Sequence, residues 1–492
     1  MAKQSVIIIG GGFGGLAAAC LLGKKGYDVT VLEKNEQMGG RASVFKVEGF
    51  TFDMGPSWYL MPDVFEKFFA SLDEDINDYL MLNRLDPSYR IFFKDVYEQP
   101  FDISSDFKKD STLFEQIEPG SSQKLKEYLA RSEYVYKTAI DKFLYRNYDS
   151  VKDFISPSLA KEATKLALFS NMDRYVRKFF KSPELQKIMQ YPLVFLGSSP
   201  FNAPAIYSLM SHVDFNQGVF YPDGGFGSVV KAMERIAQKY NVKLETNADV
   251  SKIITKKGTA IGVTVNGGDV FADIVISDAD PYFTEQQLLQ PKERDHTDKY
   301  WKSRTLAPSA LLMYLGVKGK LPELTHHNLI FSKDWKKNFG QIFDNPQWPD
   351  DPSLYISNPS KSDNTVAPKG HENLFVLVPI PSGLKYSQKQ LESYANKILK
   401  TISHETKIPD LAERMVYKRL FCVDDFASRY NSMNGTGLGL AHTLKQTAVF
   451  RPKNVSKKVK NLYYVGANVH PGIGVPTTLI SAELLVRRLR NK

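Results

Sequence analysis

Cysteine is almost absent from these 492 residues: the chain has two, Cys20 and Cys422. So few thiols exclude a disulfide scaffold and suit a reducing compartment. Metal-ligand spacing is missing too. The eight histidines are scattered apart from the pair His326–His327, and none stands at the intervals of a zinc site. No apolar run approaches the roughly 18 residues that span a bilayer. The run Val6–Ile9 is too short for the apolar region of a signal peptide. Nucleophile-elbow, paired-carboxylate, helix-turn-helix, RNA-binding and zinc-finger patterns are all lacking. The net charge of +10 is therefore not assigned to nucleic acid. These absences point to a cytoplasmic globular protein, and leave either anionic lipid or no polyanionic partner at all for its basic surface. At about 150 residues per domain the length suits two to four domains.

What is present starts at residue 6. In VIIIGGGFGGLAAACLLGKKGYDVTVLEKN (6–35) a β-branched run leads into Gly10-x-Gly12-x-x-Gly15. Such a run fits a central parallel strand buried on both faces. Gly10 permits the tight turn, Gly12 lets the backbone approach a pyrophosphate, and Gly15 lets the next helix pack against the strand. That helix is expected over 14–25, with Gly26 ending it and its N-terminus facing the phosphates. A second strand ends at Glu33, about 20 residues past the loop, where a carboxylate accepts from an adenosine ribose. A 2′-phosphate would be repelled there, which disfavours NADP and leaves FAD or NAD.

Gly39–Gly40–Arg41 follows, with two glycines for close approach and an arginine able to bridge phosphate. Near the other end, residues 461–489 read as a strand (Leu462–Val465), a turn loosened by Gly472 and Gly474, and a helix over 477–489. A nucleotide held from both chain ends suits the longer FAD.

The segments GGR (39–41) and DMGP (53–56) resemble the flavin-containing amine oxidase and desaturase superfamily. FRPKN (450–454 with Phe450), NLYYVGA (461–467) and HPGIGVP (470–476) are similar to the end of carotenoid desaturases of the phytoene desaturase type. GVFYPDGGFGSVVKAM (218–233), ADIVISDADP (272–281), SLYISNP (353–359) and GLAHTLKQTAVFRP (439–452) agree, so the likeness runs from Val6 to about Leu489. The resemblance implies an α/β chain: a Rossmann-like FAD-binding domain of the GR2-type flavoprotein fold, with an inserted α+β substrate domain that includes a helical subdomain. The FAD-binding domain is expected from residues 1–75, 220–285 and 425–492, and the substrate domain from 76–219 and 286–424. FAD contacts are expected at Gly10, Gly12, Gly15, Glu33, Gly40, Arg41, Gly55, Pro56, Val250, Gly466, Asn468, Gly474 and Val475. Where many flavoproteins hold the ribityl chain with an acid, this chain has Gly466-Ala467-Asn468, so Asn468 or backbone N–H groups take that place.

The implied reaction is desaturation of phytoene or a shorter C30 polyene, with hydride passing to flavin and oxygen or quinone as the electron acceptor. A carotenoid isomerase or modifying oxidase on the same scaffold is the alternative, and a flavin-free prenyl-lipid binder is the reading from another class. The site should be an apolar tunnel with few charges. No proton acceptor is chosen. His470 reads as a turn histidine and Asp53 as a loop-organising carboxylate. Since carotenes live in bilayers, peripheral membrane attachment is expected, and the Phe, Tyr, Arg and Lys of 130–190 suit an interfacial helix.

The inserts also carry periodic signals. Tyr136, Ile140, Phe143 and Leu144 form one apolar helical stripe. Met172, Val176, Phe179 and Phe180 form another, opposite Arg174, Lys178 and Lys181. Ser182-Pro183-Glu184 reads as a helix start. The runs 310–317 and 374–379 read as buried strands of an antiparallel sheet over 305–425, and 343–353 as a loop.

Overall fold

The computed structural model describes residues 3–148, 166 and 170–490. Its centre is a five-stranded sheet in the order Leu462–Tyr464, Ile274–Ser277, Ser5–Ile9, Asp28–Leu32, Lys243–Glu245. Every pairing in it is parallel. The first strand shows why its sequence is continuously apolar. Val6 and Ile8 face the helices Phe13–Lys24, Phe226–Lys239 and Val475–Arg490. Ile7 and Ile9 face the opposite way, toward the three-stranded sheet Val250–Lys256, Thr259–Val265, Gly268–Phe271. Both faces are covered, so alternation is lost. The helix after the glycine loop is buried from Phe13 to Gly23, which explains its Ala/Leu composition.

Over this layer lies a seven-stranded sheet in the order Met415–Phe421, Ser309–Lys318, His371–Ile380, Leu354–Ser357, His327–Phe331, Tyr89–Phe93, Phe101–Ile103. The expected buried strands pair along ten residues, Ser309 with Ile380 through Lys318 with His371. The sheet departs from the expectation in one respect. Two strands from before residue 110 extend it, and Tyr89–Phe93 joins His327–Phe331 in parallel. That pairing spans more than 230 residues of sequence, beyond the reach of local periodicity.

The helical region follows its stripes in part. Helix Ser121–Ala139 continues into a π-helical turn, Ile140–Leu144. Helix Met172–Val176 is short, and Phe179 and Phe180 reach the same core from the turns after it. Ser182 caps Pro183–Gln190 by accepting from the Glu184 and Leu185 amides. Much of the 130–190 span expected at a membrane lies outside the described residues. Of the loop expected over 343–353, Phe343 ends the helix Trp335–Phe343, and 344–353 hold neither helix nor strand. Among the described residues, no helix is long and apolar enough to cross a membrane.

Candidate active site

Parallel strands end their carboxyl termini on one edge, where the next residues are free to meet a ligand. Here that edge presents Gly10, Glu33, Asp278 and Val465 to a cavity of about 940 Å³. Gly10, at φ 97°, donates to the Leu32 carbonyl at 2.8 Å. The Gly11 amide donates to Glu33 Oε2 at 2.8 Å. Glu33 Oε1 accepts from the Asn35 backbone and side chain at 2.9 and 2.7 Å. Glu33 is thus locked in place at the end of its strand, and it lines the cavity.

The helix that starts at Phe13 has Gly12 at its cap and no side-chain cap bond, so its positive dipole end faces the cavity, where it favours an anion. Gly39 donates to the Gly11 carbonyl at 2.7 Å, which brings the second glycine pair onto the first loop. A Cβ on Gly40 would sit 3.2 Å from Gly12 Cα. Arg41 then reaches across to the C-terminal part of the chain. Its Nε donates to the Gly437 carbonyl at 2.7 Å and its Nη2 to Ser432 Oγ at 2.8 Å, and its guanidinium lies over the Tyr430 ring.

Beneath the glycine loop lies Asp278. A Cβ on Gly12, Gly14 or Gly466 would come within 2.5, 2.3 or 2.6 Å of its carboxylate oxygens. Burial pushes the Asp278 carboxyl up to about 8, against the Gly15 and Gly12 amides and Arg41, which favour its charge. Asp280 takes the next position. Its Oδ1 accepts from the Tyr282 amide at 2.9 Å and its Oδ2 from Asn468 Nδ2 at 3.2 Å. Asn468 Oδ1 in turn accepts from the Leu440 amide at 2.9 Å. The asparagine that stands where an acid was expected clamps Asp280 to the 436–442 segment.

The C-terminal turn is held by His442. The Ile473 amide donates to His442 Nε2 at 3.0 Å, so the proton sits on Nδ1, which donates to Tyr207 Oη at 2.7 Å. Tyr207 also bonds Thr447 Oγ1 at 3.1 Å. Burial, with Arg451 and His470 nearby, holds His442 neutral and well below the ordinary imidazole range. Arg451 is buried with four backbone carbonyls as acceptors: Ala467 at 2.7 Å, Leu440 at 3.1 Å, Val469 at 3.2 Å and Gln446 at 3.3 Å. Burial pulls it down to about 10. This is the physical content of the FRPKN motif.

All the expected contact residues line the cavity except Gly15 and Gly466. Gly15 packs under the loop, where a Cβ would lie 2.1 Å from the Gly10 carbonyl oxygen. Gly466 turns at φ 106° behind Asp278 and donates to Ser481 Oγ at 3.3 Å. His470 donates from Nε2 to the Arg146 carbonyl at 2.9 Å, and burial brings it down to about 4. Asp53 accepts from the Phe226 and Gly227 amides and lies outside the cavity lining. Asp278, Asp280, Tyr207, His442 and Arg451 were not singled out from sequence. The two aspartates follow an apolar run, IVIS (274–277), and that position at the end of a buried strand is the signal that could have found them.

Beyond the loops the cavity becomes apolar. Trp58, Tyr191, Phe195, Leu329, Phe331, Phe339, Tyr355 and Phe375 line it, under the roof of the seven-stranded sheet. Among the described residues, the charged ones of the lining are Glu33, Lys34, Arg41, Asp249, Asp278, Asp280 and Arg429, all grouped around the glycine loops. The apolar part is kept rigid from behind. Trp58 stacks on His327 at 4.3 Å, His327 Nδ1 bonds Tyr355 Oη at 2.7 Å, and buried Asp214 accepts from Tyr89 and Tyr191 at 2.8 Å each.

The chain matches the family described as flavin containing amine oxidoreductase over residues 13–489. It is 49% identical over 484 residues to a carotenoid 3,4-desaturase of Haloarcula japonica, covering 98% of this chain and 97% of the relative. It is 36% identical over 490 residues to a zeta-carotene-forming phytoene desaturase of Myxococcus xanthus, covering 99% and 94%. In fold it is similar to an oxidoreductase from Methanosarcina mazei, with a TM-score of 0.65 at 17% identity, covering 98% of this chain and 100% of that one. The glycine cradle, which Cβ atoms would fill, fits the dinucleotide this family carries. The chain belongs to the flavin-containing amine oxidoreductase family, with FAD as its cofactor.

Proposed function

We propose that this protein is an FAD-dependent carotenoid desaturase that introduces double bonds into phytoene or a related C30 or C40 polyene. The observation that carries the reading is the division of one cavity: among the described residues, every Asp, Glu, Lys and Arg of the lining gathers at the glycine loops, and the remainder is uncharged and mostly aromatic and aliphatic. A hydrocarbon chain offers no group to hydrogen-bond, so it is held by shape and by exclusion of water. Bound flavin supplies the hydride acceptor.

The residues of the chain do the rest. The loop at Gly10–Gly12 and the uncapped helix end receive the pyrophosphate, and Glu33 the ribose. Arg41 closes this end, and Gly55, Pro56, Val250, Asn468, Gly474 and Val475 frame the cofactor further in. His442 fixes the 472–474 turn through the Ile473 amide. Because both of its nitrogens are engaged, it positions and does not take a proton. The pieces 1–75, 220–285 and 425–492 make up the cofactor-binding unit, and 76–219 with 286–424 the substrate unit. The protein works at a membrane surface on the cytoplasmic side, with oxygen or quinone as the final electron acceptor.

The test is expression in a host that accumulates phytoene, with the polyenes identified by chromatography. Longer conjugated products are expected. Unchanged phytoene alongside folded, flavin-loaded protein would refute the proposal for that substrate, and geometric isomers with no added double bond would replace it with an isomerase.

A further inference from the structure

A cavity built for a water-insoluble chain needs an entrance that water does not fill. Among the described residues that line the cavity, only Asp249, Leu444 and Phe450 are exposed. Asp249 stands at the nucleotide end. Leu444 and Phe450 are 48% and 55% exposed and mark a second, apolar opening. Thr447, Ala448 and Val449 line the cavity between them, and Phe143, Leu144 and Tyr148 line it from the helical side.

We propose that the 444–450 lip docks onto an anionic lipid bilayer and is the port through which an apolar chain passes from the bilayer into the cavity. Only the nature of the cargo rests on the desaturase reading.

Three observations support the assignment. First, two large apolar side chains stand in water at the rim of an apolar cavity, where lipid would cover them and leave the interior continuous with the bilayer. Second, the chain segment that carries them is basic. Residues 426–482 contain no Asp or Glu, and Lys445, Lys457, Lys458 and Lys460 are exposed among them. Lys445 is exposed on the lip itself, and in 140–148, which lines the same cavity, Lys142 and Arg146 are exposed against the single acid Asp141. Stable attachment takes an apolar insertion together with a basic patch, and both are present. Third, the lip is a built structure. Gln446 donates to the Thr305 carbonyl at 2.8 Å and accepts from the Thr305 amide at 2.7 Å. Thr447 bonds Tyr207, which bonds His442, which accepts from Ile473. The port is thereby tied by hydrogen bonds to the turn at the cofactor end.

The experiment is flotation of the purified holoprotein with vesicles and no substrate, using phosphatidylcholine alone or mixed with phosphatidylglycerol. Wild type should float with the mixed vesicles and less with the neutral ones. Leu444→Asp with Phe450→Asp should lower partitioning at least ~10-fold while keeping the flavin absorbance, and Lys445→Glu should remove most of the preference for anionic lipid, each buried apolar group and each cation contributing on this scale. Hydrogen exchange on unaltered protein serves as a second readout: amides of 443–450 should slow on mixed vesicles. Wild type left in the aqueous fraction with both vesicles, a double variant that floats as well as wild type, or unprotected lip amides would each overturn the docking. Because no polyene is present, these outcomes are independent of whether the enzyme desaturates.

Discussion

At the scale of single residues, the site depends on groups that tolerate no additions and on buried charges without acidic partners. Gly12 is the first kind. A Cβ there would meet Asp278 Oδ2 at 2.5 Å and intrude where the pyrophosphate approaches. Gly12→Ala should lower bound flavin per chain about 10-fold or more, the effect of ~1.4 kcal/mol of lost binding, as read by absorbance of the purified protein. Arg451 is the second kind. Arg451→Met would leave four carbonyls of the 440–469 segment without their donor, at a cost of about 3 kcal/mol, measurable by denaturant unfolding. Asp214 gives a pH signature. Burial raises its carboxyl from 3.8 to about 7, against the Tyr191 and Tyr89 hydroxyls that favour the charge. Between those values the folded protein holds a proton that the unfolded chain has released. The stability this supplies is complete below the unfolded value and is lost as pH rises to the folded one. Asp214→Asn removes the dependence, so calorimetry should show the variant gaining on wild type from pH 4 to 7, by on the order of 3 kcal/mol.

At the scale of elements, legibility followed sequence distance. The first strand, glycine loop and helix could be read because their contacts fall within some 35 residues, and periodicity reports local geometry. Ser182 was legible for the same reason: its hydroxyl accepts from amides two and three residues on. Ser182→Ala should cost about 1 kcal/mol in a urea titration. Tyr89–Phe93 was not legible as part of the roof. Its partner His327–Phe331 lies far along the chain, and nothing local in YRIFF names the strand it will join. The helix expected through Phe180 ends at Val176 because a shared core can be reached equally from a turn. Asp278 and Asp280 gain their roles from Gly12, Gly466, Met433 and Asn468, which approach from elsewhere in the chain.

At the scale of the whole molecule, the helix Val475–Arg490 ties the two layers together: its Leu479, Ala482 and Leu485 pack with Val6 and Ile8 of the parallel sheet, and its Ile480 and Leu484 with the roof. Phe50, Phe52 and Met54 pack with Leu312, Tyr314, Ile480 and Leu484 in a single cluster. The parallel sheet itself takes strands from residues 5–9, 28–32, 243–245, 274–277 and 462–464. No single stretch of the chain holds the whole parallel sheet or the whole seven-stranded roof, so tryptophan fluorescence and flavin release should follow coincident transitions in denaturant, and separate midpoints would contradict this. Added FAD at about 100 times its Kd should stabilise the apoprotein by ~2.7 kcal/mol, read as a rise in Tm. The sequence by itself determined the dinucleotide loop, the ribose-binding acid and the family likeness, because these rest on residues a few positions apart. Tertiary structure decided the rest. It placed the buried aspartates under the loop, gathered the cavity's charges at one end, and left Leu444 and Phe450 at its rim. These depend on which distant segments meet once the apolar strands are buried, and no local pattern encodes such meetings.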